Sequence, residues 1–138
     1  MNLQVSPYLS FNGQCEAAFN FYAECFGVEP AVFFKFAGSP MADQAPPEWG
    51  GKVMHATLMI GDTAIMGADP PPKDYTAPSG FQMSVVVDSI EGSERVFKAL
   101  ARGGIVHMPM QETFWAVRFG VVSDAFGITW MVQCEQTE

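Results

Sequence analysis

Two side chains in one short segment have types and spacing suited to chemistry. His55 and Thr57 lie two residues apart in a run of alternating residues, VMHATLMI. In a β-strand, residues two apart point to the same face, so the imidazole and the hydroxyl are predicted to lie side by side. An imidazole titrates near neutral pH and can act as an acid, a base or a hydrogen-bond donor. The alternative is a structural histidine that bonds to a neighbouring strand carbonyl.

A second candidate, Arg118, lies in the alternating run AVRFGVVS. We expect the apolar neighbours Val117 and Phe119 to face a helix and Arg118 to face the other way. A guanidinium away from water needs a partner, and two kinds of partner are open. Glu112 would make the pair structural, whereas a ligand carboxylate or phosphonate would use the bidentate fork.

Other residues give weaker indications. Trp115 offers either a ring face and an indole N–H to a ligand or simple core packing, and His107 is predicted to lie near the surface. The sequence has no G-x-S-x-G elbow, H-E-x-x-H helix, P-loop or strand-linked G-x-G-x-x-G. The cysteines have no clear activating neighbour, which disfavours thiol catalysis.

These residues must be positioned by a strand–helix–strand–strand–strand pattern that the chain contains twice. The copies occupy residues 3–68 and 80–134. We therefore expect an α+β fold in which two βαβββ modules form one domain, residues 1–138, with a cupped, mainly antiparallel sheet around a cleft. A cleft in a small domain is where ligands bind.

Both predicted helices have recognisable ends. The first, at residues 14–26, is followed by Gly27, which favours the left-handed conformation that ends a helix. The second, at residues 90–102, is preceded by Asp88, with Glu91 three residues later, as in a capping box.

Residues 37–51, AGSPMADQAPPEWGG, have no counterpart in the second copy. The segment is rich in Pro and Gly, which predicts a loop. Long loops in compact domains are often lids, so Trp49 either covers a cleft or packs on the outside of the domain. Three consecutive prolines then mark residues 69–79 as an extended linker between the copies.

Composition limits the classes of partner. The net charge of −8 argues against a nucleic-acid partner and against an anionic membrane surface. We find no apolar run long enough to span a bilayer and no signal-peptide pattern. The three cysteines are an odd number, which favours free thiols and hence a cytoplasmic location.

Several segments together resemble one known family. They are YLSF at residues 8–11, FYAECFG at 21–27, MHATLMIGD at 54–62, TFWAVRFG at 113–120 and DAFG at 124–127. The chain resembles the vicinal oxygen chelate superfamily, which includes glyoxalase I, extradiol dioxygenases, and fosfomycin- and bleomycin-resistance proteins. Among its branches, the PhnB-like proteins are the most similar. One scaffold in this superfamily hosts many chemistries, so the resemblance implies the fold more closely than the activity.

The resemblance also indicates where a metal would be held. Metal-using members have a His or Gln in the first strand of each half and a Glu near the ends of the fourth and eighth strands. By resemblance, these positions fall on Pro7, Gln82, Met66 with Gly67, and Met131. Only Gln82 offers a hard donor, whereas a divalent ion needs several. We therefore expect no metal and no other cofactor.

We thus expect a small-molecule-binding protein that lacks the family's catalytic metal, for instance one that sequesters an antibiotic-like or cationic compound. The alternative is a lyase, isomerase or dioxygenase that depends on a metal or is assisted by His55. The resemblance implies a homodimer as well. The predicted ligand-binding residues are His55, Thr57, Met66, Gln82, Glu112, Trp115, Arg118 and Met131.

Overall fold

The computed structural model describes residues 1–135 and divides into two units. The first unit is residues 1–77 and the second begins at Pro78. Each unit has one helix and one four-stranded sheet. None of the helices in the described residues is long and apolar enough to span a bilayer.

The first unit follows the order strand, helix, strand, strand, strand. Its elements are β1 (Tyr8–Ser10), α1 (Cys15–Phe26), β2 (Val32–Lys35), β3 (Val53–Ile60) and β4 (Thr63–Ala68). The sheet order is β1-β4-β3-β2, in which β1 is parallel to β4 and the other pairs are antiparallel. Single turns of 3-10 helix lie in the connecting loops at Ala42–Gln44, Pro47–Trp49 and Pro72–Asp74.

The second unit repeats this order. Its elements are β5 (Met83–Val86), α2 (Ile90–Leu100), β6 (Ile105–Gln111), β7 (Ala116–Ser123) and β8 (Thr129–Glu135). The sheet order is β5-β8-β7-β6, again with one parallel pair, β5 with β8, and two antiparallel pairs. The α+β class and the two βαβββ modules are therefore confirmed, and each sheet is mixed. That the sheets enclose a cleft stays a prediction.

The helices differ from the predictions mainly at their ends. Helix α1 ends as expected at Gly27, which has φ 64° and donates its N–H to the carbonyls of Ala23 and Glu24. Helix α2, however, begins after Ser89, whose hydroxyl accepts from the N–H of Gly92. The predicted cap at Asp88 is therefore wrong by one residue.

Each helix packs closely on its sheet because a glycine lies beneath it. A Cβ at Gly67 of β4 would lie 2.9 Å from Cζ of Phe19 on α1. A Cβ at Gly120 of β7 would lie 2.9 Å from Cε1 of Phe97 on α2. A side chain at either position would push the aromatic ring, and with it the helix, away from the strand.

A buried carboxylate fastens the start of α1 to the sheet. Asp69 follows β4 and is 1% exposed. Its Oδ1 accepts from the N–H groups of Gly13 and Cys15, and its Oδ2 accepts from that of Val53. Helix starts leave backbone donors without partners, and here a side chain distant in sequence supplies the acceptor.

Candidate functional site

In each unit the helix covers one face of the sheet, and we call the other the open face. On the first open face, Met66 of β4 is paired with Tyr8 of β1 on one side and with Thr57 of β3 on the other. His55 of β3 is paired with Phe34 of β2. We call these five residues the His55 face. Three of them, His55, Thr57 and Met66, were predicted as ligand-binding residues, and the structure brings them together.

A hydrogen-bonded trio lies at the centre of the His55 face. The Tyr8 hydroxyl lies 3.1 Å from Nδ1 of His55, and the Thr57 hydroxyl lies 3.3 Å from Nε2. The rings of Tyr8 and His55 have centroids 5.6 Å apart. Both nitrogens of the imidazole thus have side-chain partners, so the expected alternative of a histidine bonded to a strand carbonyl is not what the structure shows.

The trio always leaves a hydroxyl group with spare hydrogen-bonding capacity. A neutral imidazole donates from one nitrogen and accepts at the other. When Nδ1 accepts from Tyr8, Nε2 donates to Thr57, whose own hydrogen is then free. When the tautomer is reversed, the Tyr8 hydrogen is free instead. Burial raises the pKa of the Tyr8 phenol, and the neighbouring Cys15 adds to this shift, so Tyr8 is a donor at neutral pH.

Apolar side chains surround this polar centre. Phe34 is 56% exposed, although it is large. Met66 is partly covered and lies between the strands that carry Tyr8 and Thr57. Exposed apolar surface around a few hydrogen-bonding groups is typical of sites that bind small organic molecules.

The thiol nearest to this region is not a nucleophile. Cys15 is fully buried at the start of α1. Burial raises the pKa of its thiol far above the ordinary value, and the negative charge of Asp69 raises it further. Because the thiolate is the reactive form, Cys15 is a poor candidate for a nucleophile.

In the second unit, the predicted orientation of Arg118 is wrong, whereas its ligand-binding role stays a prediction. Its Nε donates to Oε1 of Glu94 on α2 at 3.2 Å, so Arg118 lies on the helix side of the sheet and not on the open face. Glu112 is exposed, and it is Glu94 that pairs with the guanidinium. The physical reason is that Gly120 has no side chain, so the ring of Phe97 fits above it and the even-numbered residues of β7 face the helix.

The remaining predicted residues are spread over the second unit. Met131 is paired with Ser84 and Val121 on the open face. Gln82 lies just before β5 and is exposed. Trp115 is 46% exposed and packs edge-to-face against Phe114 and Phe119, with ring centroids 4.8 Å and 5.2 Å away. These residues do not form a compact group comparable to the His55 face, and their ligand-binding role stays a prediction.

Neither open face offers the donors that a hard divalent ion requires. Within the described part of the chain, no three His, Cys, Asp or Glu side chains are close enough to share an ion. The first open face has a single imidazole, whose nitrogens are both in hydrogen bonds, and a thioether. Divalent ions of the family's enzymes take several nitrogen and oxygen ligands. The side chains within each unit therefore do not fit such an ion.

Sequence reasoning missed Tyr8 as a site residue. The fit to the family placed the metal-ligand position of the first strand on Pro7. The carbonyl of Pro7 accepts a hydrogen bond from the N–H of Met66 at 3.0 Å. The signal was present in the alternation of the strand. Because Leu9 is 1% exposed and faces α1, Tyr8 must face the other way.

The proline-rich insertion is attached to its own unit through Trp49. The indole N–H donates to the carbonyl of Asp69 at 3.1 Å, and Nζ of Lys52 lies 5.8 Å from the centre of the ring. The loop and the linker line two adjoining cavities of about 470 and 460 Å³. The expected insertion is confirmed, because residues 36–52 join β2 to β3 whereas only residues 112–115 join β6 to β7.

Comparisons with known proteins identify the family. Residues 4–132 match the model of the glyoxalase/bleomycin resistance protein/dioxygenase superfamily. The chain belongs to this superfamily. It is 34% identical to protein YjdN of Escherichia coli K12, over 94% of each chain. It is 43% identical to protein PA1353 from Pseudomonas aeruginosa, whose crystal structure covers 99% of this chain and 100% of its own with a TM-score of 0.88.

A further structural neighbour shares the fold. The PhnB protein from Bacillus cereus is 23% identical, covers 96% of this chain and 99% of its own, and has a TM-score of 0.76. At this identity the likeness shows the fold alone. The match to the superfamily model therefore confirms the family expected from the sequence, and it leaves the activity to be argued from the site.

Proposed function

We propose that this glyoxalase-superfamily protein binds a small organic molecule on the His55 face and does so without the divalent metal of the family's enzymes. The observation that carries the proposal is the Tyr8–His55–Thr57 trio on an open face that also carries Phe34 and Met66. It supplies one free hydroxyl hydrogen whichever tautomer His55 adopts. The ligand accordingly carries an oxygen or nitrogen acceptor beside an apolar body that contacts Phe34 and Met66.

The absence of the metal is part of the proposal, and it is supported by the donor set of each unit. A metal-dependent enzyme would instead contain bound Zn, Ni, Mn or Fe in near-stoichiometric amount. Elemental analysis of protein purified without a histidine tag tests this. A full equivalent of one such metal, lost on the Gln82→Ala change, would overturn the metal-free assignment.

Ligand binding itself can be tested with matched hydroxyl deletions. A compound library screened by thermal shift gives candidate ligands, and calorimetry then measures their affinity. Tyr8→Phe removes only the Tyr8 hydroxyl from the trio, and Tyr75→Phe makes the same chemical change in the linker. We expect Tyr8→Phe to weaken binding by about three- to tenfold, the cost of one net hydrogen bond, and Tyr75→Phe to leave it unchanged. Equal affinity in both variants would contradict the proposal.

A second candidate function is favoured by the same trio. Tyr8 and His55 are a hydrogen-bonded acid–base pair, which is the arrangement needed to move a proton in a metal-free lyase or isomerase. The two functions make different predictions for His55→Ala. An enzyme would lose turnover while ligand binding remained measurable, whereas a binding protein returns its ligand unchanged in both forms.

We further propose that the two units form one ligand-binding domain, residues 1–138, in a cytoplasmic homodimer. All three cysteines are free and buried, which suits a reducing compartment. Phe114 is 89% exposed, and aromatic surface of this kind favours contact with a second copy. Sedimentation analysis at micromolar concentration gives the mass directly, and a monomer would exclude the dimer.

A further inference from the structure

The second unit has a cavity of about 480 Å³ that uses no residue of the His55 face. Two short segments line it, residues 78–82 before β5 and residues 127–129 at the start of β8. Cavities of this volume accept small ligands. Gly80 and Gly127 have φ of 78° and 91°, and a Cβ on either would meet no atom within 4 Å, so open space adjoins both segments.

One wall of the cavity is held rigid by a buried carboxylate. Asp124 is 4% exposed, and its Oδ1 accepts from the N–H groups of Phe126 and Ile128. Its Oδ2 accepts from the indole N–H of Trp130 at 2.9 Å. The turn that contains Gly127 is thereby fixed before any ligand arrives, which lowers the entropic cost of binding.

A chain of three side chains ends at this cavity. Nε2 of His107 lies 2.7 Å from the hydroxyl of Ser123, which lies 2.7 Å from the hydroxyl of Thr129. Thr129 lines the cavity. When Ser123 donates to His107, it accepts from Thr129, which then offers a lone pair to the cavity. When His107 donates to Ser123, Ser123 donates to Thr129, and the hydroxyl hydrogen of Thr129 is then available to the cavity.

The lining chemistry defines a class of ligand. Among the lining residues that the structure describes, none has a charged side chain, so a carboxylate or an ammonium would have no partner there. Gln82 and Thr129 each offer both a donor and an acceptor. Phe81 is 46% exposed and presents a flat apolar surface. A planar ring with an uncharged amide matches all three features.

We propose that this cavity is a second ligand site, which binds uncharged aromatic amides through Gln82 and Thr129, with Ser123 and His107 as positioning residues. The amide carbonyl and N–H pair with Gln82 and Thr129, and the ring packs against Phe81. The site is independent of the proposed function, because Tyr8, His55 and Thr57 take no part in it.

Benzamide and benzoate are matched probes for this site, since they differ in the amide and the charge. The full chain labelled with ¹⁵N is titrated with each, and amide resonances are followed by NMR. We expect benzamide to cause saturable shifts in residues 78–82 and 127–129, and benzoate to cause none. Absence of benzamide shifts in these segments, or equal shifts with benzoate, would overturn the proposal.

Variants separate the direct contacts from the positioning residues. Thr129→Val keeps a β-branched residue in β8 and should weaken benzamide binding about three- to tenfold, as should Gln82→Leu at its exposed position. Thr63→Val, an exposed strand position in the first unit, should change nothing. Benzamide should also shift the ring ¹⁵N signals of His107 in the unmodified chain but not in Thr129→Val. Unchanged affinity in both Thr129→Val and Gln82→Leu would refute the assignment.

Discussion

The two units repeat one topology but use their buried carboxylates differently. In the first unit, Asp69 joins the start of α1 to the first residue of β3. In the second unit, Asp124 closes a turn between β7 and β8 and binds Trp130. The helix contact is similar in both, with Gly67 or Gly120 beneath an aromatic ring. A duplicated scaffold thus keeps its helix packing while its loops diverge.

The open faces differ more than the helix sides. The first carries an imidazole bonded to a phenol and a threonine hydroxyl, whereas the second carries Met131 and an imidazole bonded to a serine hydroxyl, which in turn bonds to Thr129. Since the helix side is constrained by packing, the open face is where the copies are free to acquire chemistry. The comparison predicts that changes on the helix sides and at the carboxylates alter stability, and that changes on the open faces alter binding.

The largest effect is expected when the Asp69 carboxylate is removed. In Asp69→Ala three backbone donors of the first unit lose their acceptor inside the protein, which costs about 3 kcal/mol or more of unfolding free energy. Urea denaturation measures this loss. Asp124→Ala should have a similar cost, because two backbone donors and the Trp130 indole lose the carboxylate as their acceptor.

Asp62→Ala is the matched control for the carboxylate variants. Asp62 is an exposed residue in the turn before β4, so its removal should leave the denaturation midpoint nearly unchanged. If Asp69→Ala were as stable as this control, the attachment of α1 would depend on contacts other than the carboxylate.

The glycines under the helices provide the next largest effect. Gly67→Ala and Gly120→Ala each place a Cβ closer than 3.0 Å to an aromatic ring, and overpacking of this kind costs roughly 1–3 kcal/mol. Gly51→Ala is the control, because a Cβ there would meet no atom within 4 Å. A loss of unfolding free energy in only one of the variants Gly67→Ala and Gly120→Ala would show that the two helix contacts are not equivalent.

Much of the fold could be predicted from the sequence because its signals are local. The alternation in Val53–Ile60 and the ending of α1 at Gly27 follow from residues that are neighbours in the chain. The placement of His55 and Thr57 on one face follows from the same alternation. These predictions are confirmed since no distant contact competes with the local pattern.

The failures share a physical cause, which is that distant partners decide between two local patterns. Both faces of β7 contain apolar residues, so the alternation alone does not decide which face meets the helix. The ring of Phe97 fits only above Gly120, and Arg118 therefore faces the helix as well. Tyr8 was missed because its role depends on His55, far along the chain. The acceptor for the start of α1 is likewise Asp69, which no capping pattern indicates.

Alkaline pH should lower the free energy of unfolding through the thiol of Cys15. Burial, followed by the charge of Asp69, raises the pKa of this thiol in the folded state above its ordinary value of 9.0. Unfolding therefore releases a proton above about pH 9, and the free energy of unfolding falls as pH rises through this range. Urea denaturation from pH 7 to pH 10.5 should show a smaller fall in Cys15→Ala than in the unmodified chain. An identical fall in both would assign the alkaline sensitivity to other groups.

The smallest effects are expected for two ion pairs that join a helix to a sheet. Lys35 lies 2.7 Å from Glu16 and Arg118 lies 3.2 Å from Glu94, with all four side chains at least 35% exposed. Exposed pairs contribute roughly 0–1 kcal/mol, so Lys35→Met and Arg118→Met should change the denaturation midpoint little and to a similar extent. Arg118→Met should also leave ligand affinity unchanged, because the guanidinium contacts α2 and not the open face. A marked loss of affinity in this variant would restore Arg118 as a ligand anchor and would mean that its pair with Glu94 opens when the ligand binds.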